Sequence, residues 1–234
     1  MSKQISFRYF KICPEITQLA VMLYVWFPLS LRNVEDLLYE RGADLSYDSV
    51  RYWWHRFGSQ FANQIKKRRA GGMQSSNCKW HLDEAFVKII GERHDLWRAV
   101  DHEGEVLESY VTKKRDKKAA LKFMKKAMRR HGSPNEIVTD KLRSYSAAAK
   151  ELGCLEKQVT GRWANNRAEN SHLPFRRRER AMLRFKRIHS LQKFASTHAS
   201  FYNHFNSQKP LSKRSSFKLN RDAALTEWRS LIVS

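Results

Sequence analysis

Two hydrophobic periods divide the chain. From Ile16 to Phe57 apolar residues recur every three or four positions, the spacing of one face of a helix. Ile16, Leu19, Ala20, Leu23 and Trp26 make the first such face, and Pro28 ends it. Ser30 is placed to cap a second helix carrying Leu31, Val34, Leu37 and Leu38, which Gly42 closes. Ser46 or Asp48 can cap a third, with Val50, Trp53, Trp54 and Phe57 turned inward. Two helices joined by a glycine-containing turn predict a helix-turn-helix. Its recognition helix would present Tyr47, Ser49, Arg51, Tyr52 and His55 near its start. A plain three-helix bundle for packing or dimerisation is the competing reading.

The period changes after "IKKRRAGGMQSSN". "WHLDEAFVKIIG", "HDLWRAVDHEG" and "EVLESYVTKKR" alternate, favour β-formers and end in short turns, which predicts three antiparallel strands. "KKAALKFMKKAMRRHG" returns to the helical period, with Ala120, Phe123, Met124 and Ala127 on one face and Gly132 as the stop. "NEIVTD" predicts a short strand and "KLRSYSAAAKELG" another helix. The expected class is therefore α/β: a mixed sheet of three antiparallel strands, then helix-strand-helix, preceded by an all-helical domain. The expected divisions are a helical domain over 1–70, a linker over 71–78, a sheet domain over 79–206 and a basic helical tail over 207–234. Trp228 and Leu231 in that tail are expected to dock on the core.

Charge narrows the partners. The formal net charge is +22, with Lys and Arg spread along the whole chain. Such a surface repels itself unless a polyanion neutralises it, and nucleic acid is the leading candidate. Aromatic residues make up 12% of the chain, which excludes a disordered basic tail. The apolar run "ITQLAVMLYVWFPL" is too short to span a membrane and lacks a cleavage site, so it predicts a buried helix. Cys13, Cys78 and Cys154 form no CxxC pair, which fits a reducing cytoplasm.

Three carboxylates then stand out. Asp83 falls in the first strand, Asp140 at the end of "IVTD", and Glu169 in "WANNRAENSH", just before the basic run "RRRER". Each alone has an ordinary explanation: a turn, a cap, an exposed acid. Together, on so basic a chain, they suit divalent cations that activate one phosphodiester oxygen and stabilise another. Arg176, Arg177 and Arg180 are expected to contact the DNA backbone, as are Lys141 and Arg143 just after the second aspartate. Trp163 has two readings, stacking on an unpaired base or packing in the core. Leu173, Arg176 and Arg180 follow Glu169 at helical spacing, but Pro174 either kinks that helix or marks its first turn.

The blocks "WHLDEAFVKI", "LWRAVDHEGEVLESYV", "VTDKLRSY" and "NNRAENSH…RRRERAM" resemble, in this order, the DDE transposases with a ribonuclease-H-like fold. Within them the chain is similar to the insertion-sequence transposases of the IS6 family, from about Ser30 to Phe205. The resemblance implies that Asp83, Asp140 and Glu169 are a catalytic triad binding two Mg²⁺, with Mn²⁺ able to substitute. It implies a transposase that binds terminal inverted repeats, frees 3′-hydroxyl ends and joins them to target DNA by a replicative, cointegrate-forming route. A homodimer or larger synaptic complex, in a bacterial, nucleoid-associated setting without a membrane, follows from the same resemblance. Arg176 stands seven positions after Glu169, where such families often carry a basic residue. One departure is the spacing: positions 141 to 168 put 28 residues between Asp140 and Glu169, fewer than in many DDE enzymes. Glu151 and Glu156 are the rival third acids. A non-catalytic DNA-binding regulator and a metal nuclease that cuts without joining are the competing functions.

Overall fold

The structure, a computed structural model, describes residues 5–8, 10–70, 79–161, 165–182, 185–205 and 213–232. The expected linker over 71–78, with Cys78 in it, and the candidate Trp163 lie outside the described residues. The chain divides into two compact units, residues 1–73 with 200–234, and residues 74–199.

The first unit is helical: α1 (Pro14–Trp26), α2 (Leu31–Tyr39) and α3 (Tyr47–Ala70). The caps follow from sequence. Ser30 and Asn33 form a reciprocal capping box on α2. Ser46 rather than Asp48 serves the start of α3, its Oγ accepting from the Ser49 amide at 3.3 Å. Val50, Trp53, Trp54 and Phe57 are buried as expected. The face of α1 is turned from the expected one: Thr17, Gln18, Ala20, Val21, Tyr24 and Val25 are buried. That helix is apolar nearly all round, so partners and not pattern choose its face. Gln18 goes inward because its Nε2 donates to the Trp228 carbonyl at 2.6 Å.

Trp228 belongs to α8 (Arg214–Arg229), which packs with the end of α7 (Ile188–Phe205) in this same unit. The Trp228 ring lies 4.9 Å from Phe61 and 5.0 Å from Phe201. The basic C-terminal segment thus supplies core to the N-terminal helices.

The second unit is built on a sheet. Its strands are β1 (Lys79–Ile89), β2 (Glu92–Val100), β3 (Val106–Thr112), β4 (Glu136–Thr139) and β5 (Gln158–Thr160), in the order β3-β2-β1-β4-β5. β1, β2 and β3 are antiparallel neighbours, and β4 lies parallel to both β1 and β5. This is the ribonuclease-H-like arrangement implied above. β1 and β2 meet at Ile90–Gly91, both with positive φ (48° and 80°), the two-residue turn whose twist suits a hairpin.

α4 (Lys117–His131) and α5 (Arg143–Glu151) cover one face of the sheet. Trp80 and Leu82 from β1 and Trp97 and Ala99 from β2 pack there with Ala120, Phe123, Met124 and Tyr145. Alternation sends His81 and Asp83 to the other face, where α6 (Asn166–Ala181) lies along β1 and β2. Pro174 sits inside α6, which runs through it unbroken. Glu169 is therefore in the first turn of that helix. No described helix is long and apolar enough to cross a membrane.

Candidate active site

Sheet register makes the site. The parallel pairing of β1 with β4 runs from Lys79↔Glu136 to Leu82↔Thr139 and then stops. The next residue in each segment is an aspartate, Asp83 within β1 and Asp140 just past the end of β4. In a parallel pair, residues in register point to the same face. β4 ends there while β1 continues, so the two carboxyls share the gap that opens beside β1.

Glu84 joins them. One carboxylate oxygen from each of Asp83, Glu84 and Asp140 lies within 4.8 Å of the others. Alternation points Glu84 to the α4–α5 face, but with β4 ended its longer side chain reaches the same gap. The Glu84 side chain is only 3% exposed, against 14% for Asp83 and 37% for Asp140. Burial, and then the Asp140 charge, raise the Asp83 carboxyl to about 7. The same two causes in the same order raise Glu84 to about 7. Arg115 offsets part of this: its Nη2 is paired with Glu84 Oε1 and stands 3.6 Å from Asp140 Oδ2. Glu84 Oε2 and the Tyr145 hydroxyl are buried and make no hydrogen bond of ordinary geometry. Even so, the hydroxyl faces Glu84 closely enough to favour its ionised form. Three carboxylates crowded into a partly buried gap, a trio of hard oxygen ligands, fit a divalent cation that would balance their charge.

α6 is fastened to this site at several points. Asn165 Nδ2 donates to the Leu82 carbonyl at 2.8 Å. Arg98 Nη1 donates to the Ser171 carbonyl, and Arg176 Nη2 to the Phe86 carbonyl. His172 Nε2 lies 3.4 Å from Asp83 Oδ2. Burial, helped by Arg98 and Arg176, holds the His172 imidazole well below its usual pKa, so the ring is neutral at pH 7. Glu169, one turn before His172, is exposed and is not among the trio. Glu151 is paired with Lys117 at 2.7 Å, which leaves that rival acid in a surface ion pair.

The basic run divides. Arg177 and Arg180 are exposed, while Arg178 is buried with its guanidinium over Phe194 at 5.6 Å. Arg176 is half-buried and bonds Glu179 Oε2 at 2.6 Å. Lys141 and Arg143 are exposed beside Asp140. In the helical unit, Arg51, Tyr52 and His55 are exposed on α3. Tyr47 is half-buried between the guanidinium groups of Arg32 and Arg51, and the Ser49 hydroxyl lies 3.2 Å from that of Ser46.

Sequence reasoning passed over Glu84 and Arg115. Glu84 carried no signal of its own, because strand alternation assigns it to the face opposite Asp83.

The family profile for the DDE domain of IS240-type transposases matches residues 77–208. The transposase of the insertion sequence-like element IS431mec from Staphylococcus aureus is 30% identical over 171 residues, 71% of this chain and 75% of that one. The transposase of the insertion sequence element IS257 in transposon Tn4003, also from Staphylococcus aureus, matches with the same identity and coverage. Among solved structures, the integrase catalytic core domain of HTLV-2 in complex with magnesium is 17% identical with a TM-score of 0.45, covering 60% of this chain and 94% of that one. The chain belongs to the DDE transposases of insertion sequences, in the IS6 family, and is a polynucleotidyl transferase of that type.

Proposed function

We propose that this transposase binds the terminal inverted repeats of its element, frees a 3′-hydroxyl at each end and joins it to target DNA by a replicative route. The observation that carries this reading is the convergence of Asp83, Glu84 and Asp140 where β4 stops, beside α6 with its exposed Arg177 and Arg180. In this reading Asp83, Asp140 and Glu169 hold a pair of Mg²⁺ ions, which Mn²⁺ can replace. Glu84 is the competing third carboxylate, favoured by its closeness to the two aspartates. The bound ions would supply stabilisation of negative charge on the attacking and leaving oxygens of the phosphodiester.

The chain's own residues position the DNA. Lys141, Arg143, Arg177 and Arg180 offer exposed cations to the backbone, a term that falls with salt. Arg51, Tyr52 and His55 on α3 contact the repeat, with Tyr47 holding Arg51 in place. Two ends must be handled together, so the working form is a dimer or a larger assembly.

The test is strand cleavage and joining on an oligonucleotide carrying an element end. Asp83→Asn and Asp140→Asn should each abolish both steps. Comparing Glu169→Gln with Glu84→Gln identifies the third carboxylate, since only its variant is inert. Wild-type activity in all four variants would sink the reading.

A further inference from the structure

Phe86 is exposed where a strand residue of its size is ordinarily covered. It sits inside β1, three residues after Asp83, yet is 52% exposed. By alternation it shares a sheet face with Glu84 and Lys88. α4 and α5 cover that face over Trp80 and Leu82 but leave Phe86 open.

Its surroundings are cationic. The Arg93 guanidinium carbon, from β2, lies 5.1 Å from the Phe86 ring centroid. That of Arg176, from α6, lies 5.5 Å away, and the same guanidinium donates to the Phe86 carbonyl. Lys88 is exposed two residues along the strand. Asp95 and Glu179 each engage one of these arginines, Asp95 at 3.5 Å from Arg93 and Glu179 at 2.6 Å from Arg176. Glu179 thereby holds the Arg176 guanidinium beside the ring, while the Arg93 side chain stays more than half exposed.

An aromatic surface framed by guanidinium groups suits a ligand that is both flat and anionic. A nucleotide is that ligand: its base stacks on the ring or on a guanidinium plane, and its phosphate meets the charge. A second copy of this chain is a poor occupant, because it would bring the same cations against themselves. Position fits as well. Three residues of strand put Phe86 roughly 10 Å from Asp83, about three nucleotides of stacked strand away.

We propose that Phe86, with Arg93 and Arg176, is a stacking platform for an unpaired base close to the phosphodiester that reaches Asp83 and Asp140. This rests on the reading of the chain as a DNA strand-transfer enzyme. The platform is tolerant of base identity, because every base has a flat face. Its role is to hold the strand next to the reacting phosphate out of the duplex.

The experiment measures binding of the full-length protein to element ends by fluorescence anisotropy. One duplex is blunt, one carries a three-nucleotide single-stranded extension, and one carries the same extension with abasic sites. Wild type should prefer the extension by about tenfold, and the abasic form should lose that preference. Phe86→Ala and Phe86→Leu should lose it too, Phe86→Trp should keep it, and blunt-duplex affinity should be unchanged in all three. Equal preference in wild type and Phe86→Ala overturns the platform, as does full retention in Phe86→Leu, which would mean apolar contact without stacking. A protein concentration-dependent mass lost in Phe86→Ala, with DNA binding intact, overturns it in favour of a self-association surface. Wild type that binds neither duplex nor extension would remove the functional reading itself, an outcome distinct from loss of the platform alone.

Discussion

His172 Nε2 stands 3.4 Å from Asp83 Oδ2, so the helix that carries Glu169 touches the first aspartate directly. The two acids are linked by one turn of α6. Burial keeps the imidazole neutral, so its contribution is orientation and not charge. His172→Ala should reduce metal-dependent cleavage by about 10- to 100-fold, as loss of a group that orients a ligand does. Metal affinity, measured by calorimetry, should fall in parallel. The loss should be similar from about pH 6 to about pH 8, because the ring does not titrate there. A loss that appears only at low pH would contradict this.

Arg115 is a cation placed where a metal ion is expected to act, paired with Glu84 and 3.6 Å from Asp140. Removing it has two opposed effects. Arg115→Gln should strengthen Mg²⁺ or Mn²⁺ binding by about fivefold, since one positive charge no longer competes. The same variant should melt at lower temperature without metal, because two carboxyls lose their counter-charge. The side chain is about one-third exposed, so both effects are modest. Weaker metal binding in Arg115→Gln would show that the arginine orders the carboxylates instead.

The raised carboxyls set a pH dependence with a definite sign. Asp83 and Glu84 titrate near 7 in the folded chain, against 3.8 and 4.5 as their ordinary values. Between those values the folded state holds more protons than the unfolded one. The stability these groups contribute is therefore complete at low pH and is lost as pH rises through about 7. Metal-free protein should lose melting temperature over that window, and Glu84→Gln should flatten the curve. Protons and metal compete for the same oxygens, so the rise in melting temperature on adding Mg²⁺ should be larger at about pH 8 than at about pH 6. Thermal scans with and without chelator measure both.

Gly58 is held by packing and not by backbone conformation. A Cβ there would fall inside contact distance of Trp54 Cε3 and Cζ3. Trp54 is buried against Tyr24, ring centroids 5.9 Å apart, and has little room to give. Gly58→Ala should cost about 1–3 kcal/mol despite the better helix propensity of alanine. Urea unfolding gives the value, and a variant as stable as wild type would refute the packing argument.

Much of the sheet unit was legible because its elements carry strong periods. β1, β2, β3, α4, β4 and α5 all lie where alternation or helical spacing predicted. β5 did not show, because three half-polar residues at a sheet edge have no period to read and exist as a strand only through pairing with β4. Asp83 and Asp140 were legible as acids at strand positions, and parallel register brings them together. Glu84 was not, because alternation assigns it to the opposite face. Its entry into the site depends on where β4 stops, which is a tertiary fact. Pro174 left two readings of Glu169 open, and α6 resolves them by accommodating the proline within a continuous helix. The C-terminal segment was expected as a basic helical tail whose Trp228 and Leu231 dock on the core, without a partner being identified. Its place beside α1 and α3 rests on Trp228 and Gln18, two residues 210 positions apart, which no local pattern reveals.

That long-range closure has a consequence for the order of synthesis. The aromatic surface of Phe61 is covered by Trp228, and the inward Gln18 has its acceptor there. The helical unit is begun before the sheet unit in sequence and completed after it. Until residues 200–234 emerge, the whole sheet unit has been translated while the earliest helices still lack part of their core. A chain interrupted within the sheet would carry α1, α2 and α3 with a bare apolar flank, an object for proteases or chaperones and not a free-standing module. A premature stop just after the sheet unit should thus be felt in helices translated long before it.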